Sequence, residues 1–208
     1  MVIESRQQYN DLVSKLSNKT VFATAVSDDF RYHPAECDPI IITIKYNDDV
    51  YNIVLDHTES ESWPKTNEID LSELSKIKRF FVDDAKEFYH LTGLKNCYDA
   101  KLLSYFNNEK VDKPVLPHVF EHLGTSKKQG INKLIPITKV IQYSESKLAT
   151  IQDPKNITKP YLKYNKSLIT FAGLEKSGLK ITMGPFKRVF KNGYAYSNFN
   201  ILTTTGRP

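Results

Sequence analysis

Two cysteines in 208 residues, Cys37 and Cys97, are too few for a disulfide framework, and no CxxC pair offers a redox or zinc-ribbon site. Eight glycines leave no glycine-rich loop to cradle a phosphate, and no serine or cysteine nucleophile motif is present. No apolar run approaches the roughly 18 residues that cross a bilayer. The richest, residues 40–44, is interrupted by Thr43 and followed by Lys45. The first ten residues contain no apolar signal core. The expectation is a soluble, cytoplasmic protein with idle thiols, unused sequons at Asn18 and Asn156, and no membrane partner. With 40% hydrophobic, 12% aromatic and 25% charged residues, the chain has the means to bury a core, which excludes collagen-like and disordered classes.

Charge is unevenly spread. The net is +5, yet residues 1–70 carry 6 Lys/Arg against 13 Asp/Glu, and residues 155–208 carry ten Lys/Arg against the single acid Glu175. Tyr161, Tyr164, Phe171, Phe186, Phe190, Tyr194, Tyr196 and Phe199 are interleaved with those bases. Lysines neutralise phosphates and aromatic faces accept bases, so the C-terminal stretch suits nucleic acid. The same composition also fits a solubilising surface over an aromatic core.

Hydrophobic periodicity predicts a helix over residues 4–17, with Tyr9, Leu12, Val13 and Leu16 on one stripe. Strands are predicted over 21–26, 39–46 and 50–57, the last two joined as a hairpin across Asn47, Asp48 and Asp49. Capping boxes at Asp70/Glu73 and Asp84/Glu87 start short helices, the second stopped by Gly93. Between and after them, 79–82 and 96–98 read as short strands, and Asp99 opens a helix to 106. Further helices fit 117–123, 138–151 and 160–176, with a basic turn over 124–130 and Gly178 as a terminator. Beyond residue 181 the chain reads as extended, with a helical turn over 185–190 and a strand over 194–202. A three-strand meander followed by alternating helices and strands predicts an α/β fold, a mixed sheet with flanking helices of the ribonuclease-H-like kind.

Residues 80–109 resemble the middle of the 3′–5′ exonuclease domain of family A DNA polymerases, including a D-x-x-L-L-x-Y helix at Asp99, Leu102, Leu103 and Tyr105. Residues 174–182 are similar to that family's segment leading into the polymerase domain. Residues 192–208 look like the T-x-T-G-R motif at the start of its palm, with Asn200, Thr203, Thr205, Gly206 and Arg207 in place. The resemblance implies an exonuclease-like domain over 1–155 and the start of a polymerase domain over 156–208, with an abbreviated thumb and first palm strand. It further implies the N-terminal part or subunit of a DNA-directed DNA polymerase of a phage-type replication system. Palm and fingers would lie on a partner chain, and DNA would be held by Arg207, Thr205, Thr203, Asn200, Lys187, Arg188 and Lys191. Magnesium would serve the assembled polymerase only, with no ion bound by this chain.

Family exonucleases hold two divalent metals on four carboxylates. The first motif aligns with Thr24 and Val26, the second with Phe88, and the third, near Tyr143 and Glu145, with Ser146. All four are neutral, so the resemblance carries the expectation of a degenerate exonuclease with no catalytic residue. The alternatives are an autonomous 3′–5′ exonuclease with displaced ligands, or a stand-alone nucleic-acid-binding module.

Other signals compete. The H-x-x-E-H spacing of His118, Glu121 and His122 matches an inverted zinc-protease motif, which would need Glu145 or Glu175 as third ligand, but it reads as helix-surface histidines. The pairs Asp28-Asp29, Asp48-Asp49 and Asp83-Asp84 read as turn and cap residues rather than relocated ligands. His33, His57 and His90 stand isolated in the sequence.

Overall fold

The computed structural model describes residues 1–29, 32–55, 57, 69–107, 135–151, 154, 156–178, 190–191 and 194–195. Its elements follow in chain order as β1 (Val2–Ile3), α1 (Arg6–Leu16), β2 (Thr20–Ser27), β3 (Pro39–Tyr46), β4 (Asp49–Val54), β5 (Arg79–Val82), α2 (Ala85–Thr92), β6 (Cys97–Asp99), α3 (Ala100–Phe106), α4 (Ile137–Ala149) and α5 (Lys159–Lys176). A separate two-residue ladder joins β7 (Phe190–Lys191) to β8 (Tyr194–Ala195).

Local chemistry sets the boundaries. Ser5 caps α1 by accepting the Gln8 N–H, and Asp84 caps α2 by accepting from Lys86 and Glu87. Gly93, at φ 74°, closes α2 in the left-handed conformation that a side chain would disfavour. Asp70 caps as expected, but the turn it starts, Leu71–Lys76, is a 3-10 helix. β1 escapes the periodicity argument because two residues carry no pattern. It adds in parallel to β4, pairing Val2 with Asn52 and Ile3 with Ile53. Phe190, expected in a helical turn, lies in β7 instead. The helix expected over 117–123 and the basic turn over 124–130 lie outside the described residues.

The sheet order is β1-β4-β3-β2-β5-β6, with β3 antiparallel to both β2 and β4, and with β5 and β6 parallel to β2. This mixed sheet with helices on both faces is of the ribonuclease-H-like kind. Because side chains alternate along a strand, each strand feeds both faces. One face carries Val21, Ala23, Ala25, Ile42, Ile44, Tyr51, Ile53, Phe80 and Val82, covered by Tyr9, Leu12, Val13 and Leu16 of α1 and by Phe88 and Leu91 of α2. On the other, Val26, Ile41 and Val54 pack against Val140 and Tyr143 of α4. At the β6 side, Phe81 packs with Leu103 of α3 and Tyr161 of α5. Helix α5 lies C-terminal to the expected boundary at 155, yet its Ile169 joins the main core and its Asn165 bridges the β6 backbone, accepting from Asp99 N and donating to Cys97 O. No described helix is long and apolar enough to cross a membrane.

Candidate functional site

The face under α4 is not apolar throughout. The register sets Thr24 beside Thr43 and Thr43 beside Asn52, while Ala23 pairs with Val82, so that Asp83 follows alongside Thr24. A polar row therefore crosses the centre of the sheet, and all four side chains are buried. Buried polar groups are tolerated only when bonded. Thr43 Oγ1 donates to Asn52 Oδ1 (2.8 Å) and lies 2.7 Å from Ser144 Oγ of α4. Asn52 Nδ2 donates to Glu145 Oε1 at 2.8 Å. Thr24 Oγ1 donates to Asp83 Oδ1 at 3.1 Å.

Lys147 completes the row. Its Nζ lies 3.4 Å from Asp83 Oδ2, 3.3 Å from Glu87 Oε1 and 3.2 Å from the carbonyl oxygen of Ala25. It donates to Glu87 and to the Ala25 carbonyl, and stands in ion-pair contact with Asp83. The residue is 5% exposed. Burial by itself would push this amine down, but the carboxylates of Asp83 and Glu87 outweigh it and hold the ammonium well above its ordinary range. Burial pushes the Glu87 carboxyl up, against the pull of Lys147 and with the help of Asp83 and Asp84. Two carboxylates and one ammonium thus share one point near the C-terminal ends of β2 and β5, where open α/β sheets commonly bind ligands.

Several expected positions fall elsewhere. Thr24 and Val26 do lie on this face, but Val26 packs in the apolar cluster with Tyr143. Phe88 does not reach the point: it sits in the core under the opposite face, stacking on Phe80 at 5.6 Å, and its neighbour Glu87 points to Lys147 instead. Ser146 does not reach it either, since its hydroxyl donates to the Tyr143 carbonyl one turn back. A helix advances 100° per residue, so being one residue off moves a side chain to another face. Lys147 shares the buried stripe of α4 with Val140, Tyr143, Ser144 and Leu148. That stripe was legible: a lysine three and four residues after Ser144 and Tyr143 sits where an apolar residue belongs. Asp83 is more than a turn residue, being buried and paired, whereas Asp84 has the capping role expected of it.

The two-metal site of the family that the sequence resembles does not fit these residues. A divalent ion prefers several oxygen ligands, but here the carboxylates of Asp83 and Glu87 already pair with the Lys147 ammonium. The expected DNA contacts Asn200, Thr203, Thr205, Arg207, Lys187 and Arg188 lie outside the described residues, and of Lys191 only the backbone is described, paired with Tyr194. His118, Glu121 and His122 also lie outside them.

Asp99, in the D-x-x-L-L-x-Y segment, has a different setting. Its carboxylate accepts the Ala85 N–H at 3.0 Å and the Leu102 N–H at 2.8 Å, joining the starts of α2 and α3. Burial raises its pKa to about 6, against the lowering effect of the two backbone donors.

A second charged group was invisible in the sequence. His33, His90 and Glu175 are not isolated: one donor atom from each lies within 4.8 Å of the others. They come from the β2–β3 connection, the last turn of α2 and the last turn of α5, separated by 57 and 85 residues, so no spacing motif could announce them.

No protein-family model matches the sequence, and neither does any curated protein. Among solved structures the chain is similar to RNase D of Escherichia coli, an exoribonuclease involved in structured RNA processing, at 12% identity and a TM-score of 0.44, over 86% of this chain and 51% of that one. It is similar to NrnC of Brucella melitensis at 13% identity and a TM-score of 0.43, over 76% and 83%. It is also similar to the EXO domain of Aedes aegypti Nibbler at 12% identity and a TM-score of 0.33, over 81% and 94%. The chain spans about half the length of the RNase D structure. At these identities the likeness is one of fold.

Proposed function

We propose that the chain is a 3′–5′ exonuclease-like domain that keeps the nuclease fold without the nuclease chemistry, and that it serves as a nucleic-acid-binding scaffold. The observation that carries this reading is the Lys147 ammonium, bonded to Asp83 and Glu87 at the sheet centre, where a nuclease would need free carboxylates. Binding falls to the basic, aromatic-rich stretch after residue 155. Its T-x-T-G-R motif supports a finer assignment: the N-terminal part of a family A DNA-directed DNA polymerase, with primer-template held by Arg207.

With magnesium or manganese, purified protein is expected to leave 3′-labelled single-stranded DNA and RNA intact, while binding DNA with an affinity that falls as salt rises. Arg207→Ala should weaken that binding. Degradation that Asp83→Asn abolishes would overturn the silent reading. The polymerase assignment stands on co-purification of a chain that carries the palm aspartates. A stable monomer that binds DNA alone would leave a free-standing binding module in its place.

One observation favours a second reading, an autonomous 3′–5′ exonuclease with displaced ligands. Asp83 and Glu87 do bring two carboxylates to one cation at this end of the sheet. Metal would then have to displace Lys147, and the same degradation assay decides between the two.

A further inference from the structure

The His33, His90 and Glu175 group has no role in the reading above. Glu175 Oε1 accepts from Lys86 Nζ at 2.8 Å, which fixes the carboxylate and leaves Oε2 facing the imidazoles. Oε2 is buried and has no hydrogen-bond partner. A buried carboxylate oxygen without a donor is costly and calls for an explanation. The nearest candidate donor is His90 Nε2, 3.3 Å from Oε2. However, that nitrogen is 3.1 Å from the Ala172 carbonyl, and burial pulls the His90 pKa down, which disfavours the cationic ring. His33 faces His90 with ring centroids 5.1 Å apart and stands at the exposed rim.

We propose that His33, His90 and Glu175 bind one divalent transition-metal ion of the zinc class, clamping the β2–β3 connection to the ends of α2 and α5. Two imidazoles and a carboxylate are a zinc donor set, with a fourth position left for water at the rim. Zinc bonds of about 2.0–2.2 Å require donor atoms a little over 3 Å apart, so the present 4.8 Å limit closes by a modest shift of the exposed His33 ring. His90 Nε2 faces both the Ala172 carbonyl and Glu175 Oε2, so an ion on that nitrogen takes the place of its contact with Ala172. Lys86 orients the carboxylate by holding its Oε1.

The test uses the full chain without a histidine tag, stripped with chelator and titrated with zinc chloride alone. One zinc per chain is expected, with a rise in melting temperature of about 5–10 °C at a hundredfold excess over Kd. His33→Ala, at an exposed position that burdens folding little, should weaken binding at least tenfold, and Glu175→Gln likewise. A His118→Ala/His122→Ala double variant should bind as the wild type does. Absence of stoichiometric zinc in the wild type overturns the proposal. So does binding that survives His33→Ala and Glu175→Gln but disappears in the double variant. None of these outcomes bears on whether the sheet centre cuts nucleic acid.

Discussion

Helix α2 serves two charged clusters, and they are built on opposite logic. Glu87 in its first turn meets Lys147 and Asp83, where two carboxylates and a carbonyl oxygen surround the ammonium and the charges lock α4 to the sheet. Lys86 and His90 meet Glu175, where one carboxylate oxygen has no hydrogen-bond donor and an imidazole stands beside it. The first cluster is complete without a ligand and the second is not. A buried charge constellation that closes on itself is structural, and one with an orphaned atom points to something it lacks.

The strongest way to break the comparison is to remove the ammonium. Lys147→Met leaves Asp83 buried without its cation, and a loss of about 3–5 kcal/mol in folding stability is expected from urea denaturation. Adding Asp83→Asn to that variant should restore part of the loss, because the uncompensated charge goes with it. A double-mutant cycle measures the coupling.

Asp99 sharpens the contrast, since its carboxylate is met by backbone N–H groups rather than an ammonium. Its folded pKa is about 6, raised by burial above the ordinary value. The native state therefore holds this proton more tightly than the unfolded chain does. The associated stability is fully present below about pH 4 and is lost as pH rises through about 6, an effect on the order of 2–3 kcal/mol. Asp99→Asn removes the titration. The stability of the wild type relative to this variant should fall between pH 4 and 6 and stay level above pH 7.

Thr24→Val takes the hydroxyl from Asp83 Oδ1 but leaves the ion pair, and should cost roughly 1–2 kcal/mol. The smallest effect is expected at the open cluster. In chelator-treated protein Glu175→Gln should cost about 1 kcal/mol or less, because it breaks a half-exposed Lys86 pair and at the same time removes an unsatisfied buried charge. A loss as large as that of Lys147→Met would show that the second cluster also carries the fold and would erase the distinction.

Much of the fold was legible because its signals are local. The apolar stripe of α1, the capping boxes at Asp70 and Asp84, and the left-handed Gly93 are each contained within a few residues. The hairpin of β3 and β4 was legible for the same reason. The candidate site was legible only in part. Thr24 was found because a strand side chain keeps its face with a period of two, which tolerates a rough alignment. Phe88 and Ser146 were misplaced because on a helix a one-residue offset turns the side chain away. Lys147 left a trace as a charge on a buried stripe. His33, His90 and Glu175 left none.

By itself the sequence determined strands β2 to β6, the helix caps, the uneven charge and the absence of a carboxylate at Thr24 and Val26, because these depend on neighbours a few bonds apart. Only the tertiary structure decided what fills the centre of the sheet, because strand register and helix rotation bring Asp83, Glu87 and Lys147 to one point across more than sixty residues. It likewise decided that an orphaned Glu175 oxygen faces two histidines. Electrostatic interactions act through space, and the distances that govern them exist only once the chain has packed.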